Sequence, residues 1–387
     1  MKIIPYGRQD ITDEDIQSVV DVLRSDYLTQ GPLVPEFEQK IASYCGANFA
    51  IAVNSATSAL HIACMALDIG PGDWLWTSPI TFVASANCGL YCGAKVDFVD
   101  IDPRTYNLSP KVLEKKLEIA KRDGCLPKVV VAVHLAGQSC DMKAIHELSK
   151  QYGFYIIEDA SHAIGGSYCD TKIGACKYSD ISIFSFHPVK IITTAEGGMA
   201  LTNSAHLANK MTLFRSHGIT RDVANMTKLP DGPWYYEQVD LGYNYRMTEL
   251  QAALGVTQMN RLDTYVTKRH ELANRYDDLL ANQPITLPWQ DPKGYSGFHL
   301  YIIRLRLNEI KKTHLEVFEC LRAKNIAVNL HYIPVYRHPY FSDKGIGSDM
   351  CIEAESYYAE AISLPMYSAL TFLEQDYVAK TLIDCLN

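Results

Sequence analysis

Residues 50–77 read AIAVNSATSALHIACMALDIGPGDWLWT. A short apolar run, Ala50–Val53, is followed by a helical pattern over Thr57–Leu67 and then by a second short apolar run, Trp74–Thr77. Apolar strands without polar alternation, separated by helices, are typical of a parallel sheet that helices cover on both faces. This unit therefore predicts an α/β protein.

The same alternation continues on the C-terminal side of this unit. Further predicted strands are Val96–Val99, Val129–His134, Tyr155–Glu158, Ile181–Phe184 and Met199–Thr202. Predicted helices between them are Ser85–Tyr91, Pro110–Ala120 and Met142–Tyr152, and a helix over residues 11–26 with Thr12 as a possible cap precedes the unit. Ligands of such sheets bind beyond the carboxyl ends of the strands, so the polar segments that follow these strands are the candidate site.

The pattern changes after Met247. A long helical pattern runs to about Leu280, and strand-like Leu300–Leu305, a helix around Val317–Lys324, strand-like Ala327–His331 and two terminal helices follow. We therefore predict a large domain over residues 1–255, including an N-terminal arm, and a smaller α+β domain over residues 256–387.

Composition excludes several classes of protein. The 387 residues include 36 Lys and Arg against 44 Asp and Glu, a net charge of −8, whereas a nucleic-acid-binding protein usually carries a basic surplus. The 11 cysteines show no zinc-ligand spacing, so no metal site is predicted. They also suggest no disulfide framework, which favours a reducing compartment. No apolar signal core and no run of about 18 apolar residues is present, so we expect a soluble, cytoplasmic protein.

The segment Ser185-Phe186-His187-Pro188-Val189-Lys190, followed by Gly197-Gly198, carries the strongest chemical signal. A lone lysine in a loop is usually a solvated surface charge. This lysine follows a buried strand, and a lysine in an enclosed pocket loses proton affinity and becomes a nucleophilic amine, as Schiff-base chemistry requires.

Two adjacent carboxylates lie where the predicted strand Tyr155–Glu158 ends: Glu158 is its last residue and Asp159 is the next. Successive residues of a strand point to opposite faces, so one of them, Asp159, could face the pocket. A carboxylate there can keep the ring nitrogen of pyridoxal phosphate protonated. The alternative interpretation is a structural acid that caps the next helix.

Two weaker signals complete the pattern. Asn54-Ser55-Ala56-Thr57-Ser58 ends a strand and opens a helix, whose free N–H groups can bind a phosphate, although Ser and Thr also cap ordinary helices. Asn244 and Arg246 precede the long helical pattern, where an ordinary helix entry near Thr248 is the alternative.

Taken together, these motifs resemble the DegT/StrS family of sugar-nucleotide aminotransferases nearly end to end. The motifs are SFHPVK (185–190), TTAEGG (193–198), EDASHA (158–163), NSATSAL (54–60) and GYNYRMTELQAALG (242–255). The resemblance implies the aspartate aminotransferase fold (fold type I), pyridoxal 5'-phosphate as cofactor, and a homodimer with shared active sites. Within the family, DYLTQGP (26–32), FRSHGI (214–219) and LHYIPVYRHPYF (330–341) favour the enzymes of pseudaminic acid biosynthesis. They imply transfer of an amino group from L-glutamate to C4 of a UDP-linked 4-keto-6-deoxy-N-acetylhexosamine.

The resemblance also implies a role for individual residues at the cofactor. Lys190 forms the covalent link to the cofactor and catalyses the proton transfer, and Asp159 pairs with the pyridine nitrogen. The remaining cofactor-binding residues are implied to be Ala56, Thr57 and Ser185 at the phosphate, Phe82 and His162 at the ring, and Asn244 at the phosphate of the neighbouring subunit.

For the sugar nucleotide, the resemblance points to three segments of the chain. They are Tyr6, the loop Asp26-Tyr27-Leu28-Thr29, and His331-Tyr332-Ile333-Pro334. Arg8 and Arg246 are candidates for a diphosphate or a donor carboxylate, since a guanidinium group fits both. Some relatives are dehydratases that carry histidine at the lysine position. Lys190 therefore favours transamination, while amination of another nucleotide-linked keto sugar, a sugar dehydratase and a non-catalytic binding protein remain the alternatives.

Overall fold

The computed structural model describes residues 3–343 and 351–387. The strands within these ranges are β1 (Ile4–Pro5), β2 (Phe49–Val53), β3 (Trp74–Thr77), β4 (Lys95–Phe98), β5 (Val129–Val133), β6 (Tyr155–Asp159), β7 (Ser167–Tyr168), β8 (Thr171–Lys172), β9 (Ile181–Ser185), β10 (Gly198–Thr202), β11 (Ile219–Thr220), β12 (Glu237–Gln238), β13 (Ile285–Thr286), β14 (Gly294–Tyr295), β15 (Tyr301–Leu305), β16 (Ile326–Ala327) and β17 (Ala361–Leu364). Seven of them form one large sheet in the order β2-β10-β9-β6-β5-β3-β4.

Helices cover both faces of the large sheet, and others pack against a smaller C-terminal sheet. They are α1 (Asp13–Leu23), α2 (Leu33–Cys45), α3 (Ala56–Ala66), α4 (Ala84–Tyr91), α5 (Pro110–Asp123), α6 (Met142–Tyr152), α7 (Ala205–Phe214), α8 (Glu249–Met259), α9 (Leu262–Leu280), α10 (His314–Ala323), α11 (Pro339–Ser342), α12 (Ile352–Glu360) and α13 (Phe372–Leu386). Short 3₁₀ turns lie at Leu135–Gly137, Val223–Asn225 and Val335–Arg337. No helix among the described residues is both long enough and apolar enough to cross a bilayer.

The central strands are apolar on both sides because each side faces a separate core. Val129 and Val131 of β5 pack in a cluster with residues of α3 and α4, whereas Val130 and Ala132 pack with residues of α5 and α6. Strands β9, β6, β5, β3 and β4 are parallel, and β10 is antiparallel to both of its neighbours. The predicted mostly parallel sheet is confirmed, and all seven predicted strands of the first half are present.

Two sequence predictions in the second half are wrong in detail. The long helical pattern after Met247 is two helices, α8 and α9, because the chain turns at Asn260 and Arg261, where the Arg261 guanidinium donates to the buried Asp15 carboxylate of α1 at 2.5 Å. The predicted strand Ala327–His331 reduces to β16 and one isolated bridge, because the chain turns where the N–H of Val328 donates to the carbonyl of Ile326.

A second core lies in the C-terminal part of the chain. Strands β13, β15 and β17 form a three-stranded sheet that packs with α9, α10 and α13. The N-terminal strand β1 pairs with β16, and Ile4 belongs to this second core. The division at residues 255 and 256 stays a prediction.

The sequence predicted no disulfide, and the structure corrects this prediction at one pair. Cys320 of α10 and Cys385 of α13 are bonded, because the two helices pack together and bring their Cα atoms to 6.0 Å across 65 residues of sequence. Sequence spacing gave no sign of this pair, since the contact arises only from the packing of the two helices.

Candidate active site

The carboxyl edge of the large sheet holds the candidate site. Strand β6 ends at Asp159 and its parallel neighbour β9 ends at Ser185, so the two side chains lie at the same edge. The loop between β9 and β10 carries Lys190 along this edge. The positive charge of Lys190 and the negative charge of Asp159 influence each other. The structure therefore brings the two principal predicted residues to one cleft.

The alternation of β6 separates the two adjacent carboxylates, as the sequence predicted. Glu158 accepts a hydrogen bond from the ring of His134 at 2.8 Å on one face of the sheet. On the other face Asp159 is buried and accepts hydrogen bonds from the hydroxyls of Ser85 at 2.6 Å and Ser161 at 2.5 Å, and from the Ser161 N–H at 3.2 Å. A carboxylate has about four acceptor positions, so one remains for a further donor.

Lys190 has the electrostatic character of a nucleophilic amine. Burial lowers the pKa of Lys190 from 10.5 to about 8, and the negative charge of Asp159 limits the decrease. The side chain keeps partial contact with the open cleft. About a tenth of the amine is therefore neutral at pH 7, far more than for an exposed lysine, and the neutral form is the one that attacks a carbonyl.

His162 is held in one tautomer. The N–H of Ala136 donates to His162 Nδ1 at 3.3 Å, so the proton of the neutral ring is on Nε2, which lies 3.1 Å from the Tyr332 hydroxyl. Burial, followed by the positive charges of Lys190 and His331, lowers the pKa of His162 well below its usual range. The ring is therefore neutral beside the lysine.

The start of α3 presents backbone donors that could hold an anion. The first N–H groups of a helix have no acceptor within the helix, and Ala56 and Thr57 are the first two residues of α3. Ser185 pairs with Gly198 across β9 and β10, and a Cβ built on Gly198 would lie 2.5 Å from the nitrogen of Ala56. Glycine at position 198 therefore lets these backbone donors and Ser185 lie side by side.

Aromatic and imidazole rings form one wall of the cleft. The ring of Tyr332 lies 6.3 Å from that of Phe82, which is exposed, and the ring of Tyr6 lies 5.0 Å from that of His331. Burial lowers the pKa of His331 to about 3, and the charge of Lys190 adds to the effect. The described cleft thus offers flat apolar surfaces beside neutral polar groups.

The chain does not bring every predicted residue to this cleft. The loop Asp26–Thr29 is exposed and is bound to the start of α8, where the Glu249 N–H donates to the carbonyl of Leu28. Asn244 is also exposed and lies beside the β2–α3 turn, where its carbonyl accepts from Asn54 at 3.4 Å.

The other predicted residues differ in exposure. In the segment His331–Pro334, Ile333 points to solvent and Pro334 is buried. Arg8 is exposed and Arg246 is partly buried, and neither forms an ion pair within the described ranges.

Sequence reasoning missed three residues of the site. Ser85 and Ser161 bind the Asp159 carboxylate, and His299 is buried with its ring centroid 4.4 Å from that of His162. The Asp-x-Ser spacing of Ser161 could have suggested a local hydrogen bond to Asp159. Nothing in the sequence around Ser85 or His299 indicates the element against which it packs.

These residues fit pyridoxal 5'-phosphate. The group needs a primary amine for its aldehyde, an anionic acceptor for its ring nitrogen, and N–H donors for its phosphate. Lys190, the free acceptor position on Asp159 and the start of α3 offer these three features along one sheet edge. The Tyr332–His162 pair and the ring of Phe82 offer surfaces for the planar ring.

The fold and this site define a pyridoxal-phosphate enzyme with the aspartate aminotransferase fold. The chain belongs to the DegT/DnrJ/EryC1/StrS aminotransferase family, whose model matches residues 9–383. The predicted fold class, cofactor and enzyme class are confirmed by this membership and by the solved relatives.

Similar proteins match over nearly the full chain. The UDP-4-amino-4,6-dideoxy-N-acetyl-beta-L-altrosamine transaminase of Campylobacter jejuni is 38% identical and the match covers 100% of this chain and 98% of the relative. Helicobacter pylori PseC, an aminotransferase involved in the biosynthesis of pseudoaminic acid, superposes with a TM-score of 0.90 at 32% identity, covering 100% and 99% of the two chains. The PLP form of the sugar aminotransferase Spr1654 from Streptococcus pneumoniae gives a TM-score of 0.88 at 28% identity, covering 99% and 98%.

Proposed function

We propose that this aminotransferase transfers the amino group of L-glutamate to C4 of a UDP-linked 4-keto-6-deoxy-N-acetylhexosamine in pseudaminic acid biosynthesis. The observation that carries the proposal is the juxtaposition of Lys190, with its pKa lowered to about 8, and the buried Asp159 at one sheet edge. The names of the Campylobacter jejuni and Helicobacter pylori relatives support the choice of sugar.

When bound, pyridoxal phosphate acts as an electron sink for the carbanion formed at the substrate carbon. Lys190 would supply the amine that binds the cofactor aldehyde, and its free Nζ would take the proton from the α-carbon of the donor. Because a proton shuttle must be neutral before it accepts a proton, the lowered pKa of Lys190 favours this role. In the second half-reaction Lys190 returns a proton to the sugar carbon.

Asp159 keeps the ring nitrogen protonated through its remaining acceptor position. Ala56, Thr57 and Ser185 hold the phosphate at the start of α3, where the helix dipole also favours an anion. On the sugar side, Tyr6 and the segment His331–Pro334 form the wall against which the nucleotide sugar binds, with Phe82 and His162 on the cofactor ring.

The exposed positions of Asn244 and of the loop Asp26–Thr29 support a homodimer with shared sites. Both segments are exposed on their own chain, yet both are implied to contact ligands. We propose that each reaches the cleft of a second copy. The loop Asp26–Thr29 also borders a groove of about 610 Å³ between α1 and the start of α8, which offers apolar surface to that copy.

The substrate assignment is tested with purified protein, L-glutamate and a panel of UDP-linked 4-keto-6-deoxy sugars, with products identified by mass and NMR. We expect one nitrogen gained at C4 of the N-acetylhexosamine and no product from a Lys190→Ala variant. A product that has lost a hydroxyl without gaining nitrogen would assign the protein to the dehydratases instead. Turnover by the Lys190→Ala variant at the wild-type rate would refute the role of Lys190.

Shared sites are tested by mixing two inactive variants, Lys190→Ala and Asn244→Ala, after dissociation and reassembly. If Asn244 serves the partner's site, each mixed dimer contains one site with both native residues, and about a quarter of the wild-type activity returns. If Asn244 serves the site of its own chain, both sites of a mixed dimer are defective and no activity returns. An Asn244→Ala variant with full activity would remove this residue from the site.

A further inference from the structure

Asp159 depends on hydroxyl groups that lie far from it in sequence. The Ser85 hydroxyl lies 2.6 Å from Asp159 Oδ2, and the Thr81 hydroxyl lies 2.7 Å from the Ser85 hydroxyl. Ser85 is 0% exposed and Thr81 is 2% exposed, so water does not compete for these bonds. The three groups form a buried chain that runs from the loop before α4 to the end of β6.

The direction of this chain follows from the chemistry of its members. An ionised carboxylate only accepts hydrogen bonds, and a serine hydroxyl has one proton to donate. The Ser85 proton is therefore directed to Asp159, and the Ser85 oxygen is left to accept the proton of Thr81. Each donor in the chain strengthens the next bond through polarisation.

The chain also connects two parts of the site. Thr81 immediately precedes Phe82, the ring of which faces Tyr332 across the cleft at 6.3 Å. The backbone N–H of Ser85 donates to the carbonyl of Phe82 at 3.2 Å, so Ser85 contacts this loop through its backbone as well. A single short segment thus fixes both the aromatic wall and the orientation of the carboxylate.

We propose that Ser85 is a positioning residue for the reaction, acting through Asp159, and that Thr81 orients Ser85. This inference rests on the proposed role of Asp159 at the ring nitrogen of the cofactor. By donating to Oδ2, Ser85 fixes the plane of the Asp159 carboxylate, so that the free acceptor position points into the cleft, where it would accept the ring-nitrogen N–H of the bound cofactor.

The test compares Ser85→Ala with a matched control, Ser182→Ala. Ser182 is also 0% exposed and lies in the neighbouring strand β9, but its hydroxyl has no hydrogen-bond partner within the described residues. Both variants remove one buried hydroxyl, and only Ser85→Ala removes a donor from Asp159. We expect Ser85→Ala to lower kcat roughly tenfold to a hundredfold, as for loss of a hydrogen bond to a charged group, and to weaken cofactor retention.

A merely structural role for Ser85 predicts a different result. Loss of packing would lower the thermal unfolding temperature without a selective fall in kcat, whereas the proposal predicts a lower kcat at a nearly unchanged KM for the sugar nucleotide. Thr81→Val provides a second variant of nearly the same shape, and it should lower kcat by only a few fold, since the donor to Asp159 remains. Wild-type kcat and cofactor affinity in both Ser85→Ala and Thr81→Val would overturn the proposal.

An Asp159→Asn variant measured in parallel separates the two hypotheses. If Asp159→Asn loses activity while Ser85→Ala and Ser182→Ala behave alike, the positioning role of Ser85 is wrong and the role of Asp159 stands. If Asp159→Asn retains wild-type kcat and cofactor affinity, the proposed function of Asp159 itself is wrong. A fall in kcat with Ser182→Ala equal to that with Ser85→Ala would also refute the specific role of Ser85.

Discussion

Replacing Lys190 with methionine should stabilise the cofactor-free protein at neutral pH. The lowered pKa of Lys190 means that protonating this amine costs more in the folded chain than in the unfolded chain. Methionine has a similar length and carries no charge, so Lys190→Met removes this cost. The variant would be inactive, which makes stability and not turnover the quantity of interest.

The magnitude follows from the two pKa values of Lys190. A decrease from 10.5 to about 8 corresponds to about 3 kcal/mol at pH 7, at about 1.4 kcal/mol for each pKa unit. The partial contact of the side chain with the cleft makes this value an upper estimate. The sign is fixed by linkage: the unfolded chain binds more protons between pH 8 and 10.5, so the stability of the wild-type protein rises with pH in that window.

The assay is urea unfolding of both apoproteins at equal protein concentration between pH 7 and 11. The stability advantage of Lys190→Met should be about 3 kcal/mol at pH 7 and about 2 kcal/mol at pH 9, and it should nearly vanish above pH 10.5. Equal protein concentration is needed because association with a second copy shifts apparent stability. An advantage that does not change with pH, or a loss of stability at pH 7, would refute the pKa of about 8 that underlies the mechanism.

Three further outcomes are expected. The rate at which the apoprotein binds pyridoxal phosphate should fall about fivefold from pH 8 to pH 7, because the neutral fraction of Lys190 falls from half to about a tenth. The rate is measured by stopped-flow absorbance, and a rate that does not change with pH would contradict this prediction. Gly198→Ala should weaken cofactor binding at least tenfold, because the added Cβ would lie 2.5 Å from the Ala56 nitrogen, and unchanged affinity in a fluorescence titration would exclude phosphate binding at the start of α3. Reducing the Cys320–Cys385 bond with dithiothreitol should destabilise the protein by about 4 kcal/mol for its separation of 65 residues, measured as a lower unfolding midpoint. Nine alkylatable thiols are expected in the untreated, unfolded protein, and eleven would show that the bond is absent.

Much of the fold could be predicted because its signals are local. Each strand of the large sheet is a short apolar run, and capping residues mark where helices begin. Thr12 is an example, since the structure shows a capping box between Thr12 and Asp15 at the start of α1. Lys190, Asp159 and the start of α3 follow such strands, and parallel strands end at a common edge. Order along the chain was therefore enough to predict that these groups meet.

The remaining features depend on contacts between distant segments. Ser85 donates to Asp159 across 74 residues of sequence, and His299 packs against His162 from the segment between β14 and β15. The break between α8 and α9 likewise follows from the pairing of Arg261 with Asp15, which no helical periodicity reports.

The sequence by itself determined the α/β architecture and the candidate lysine and carboxylate of the site, because periodicity and residue type are properties of neighbours along the chain. Only the tertiary structure decided how strongly the lysine is desolvated, which hydroxyls hold the acid, and which predicted segments stay outside their own cleft. These properties depend on burial and on the packing of side chains from separate elements, and a linear sequence contains no measure of either.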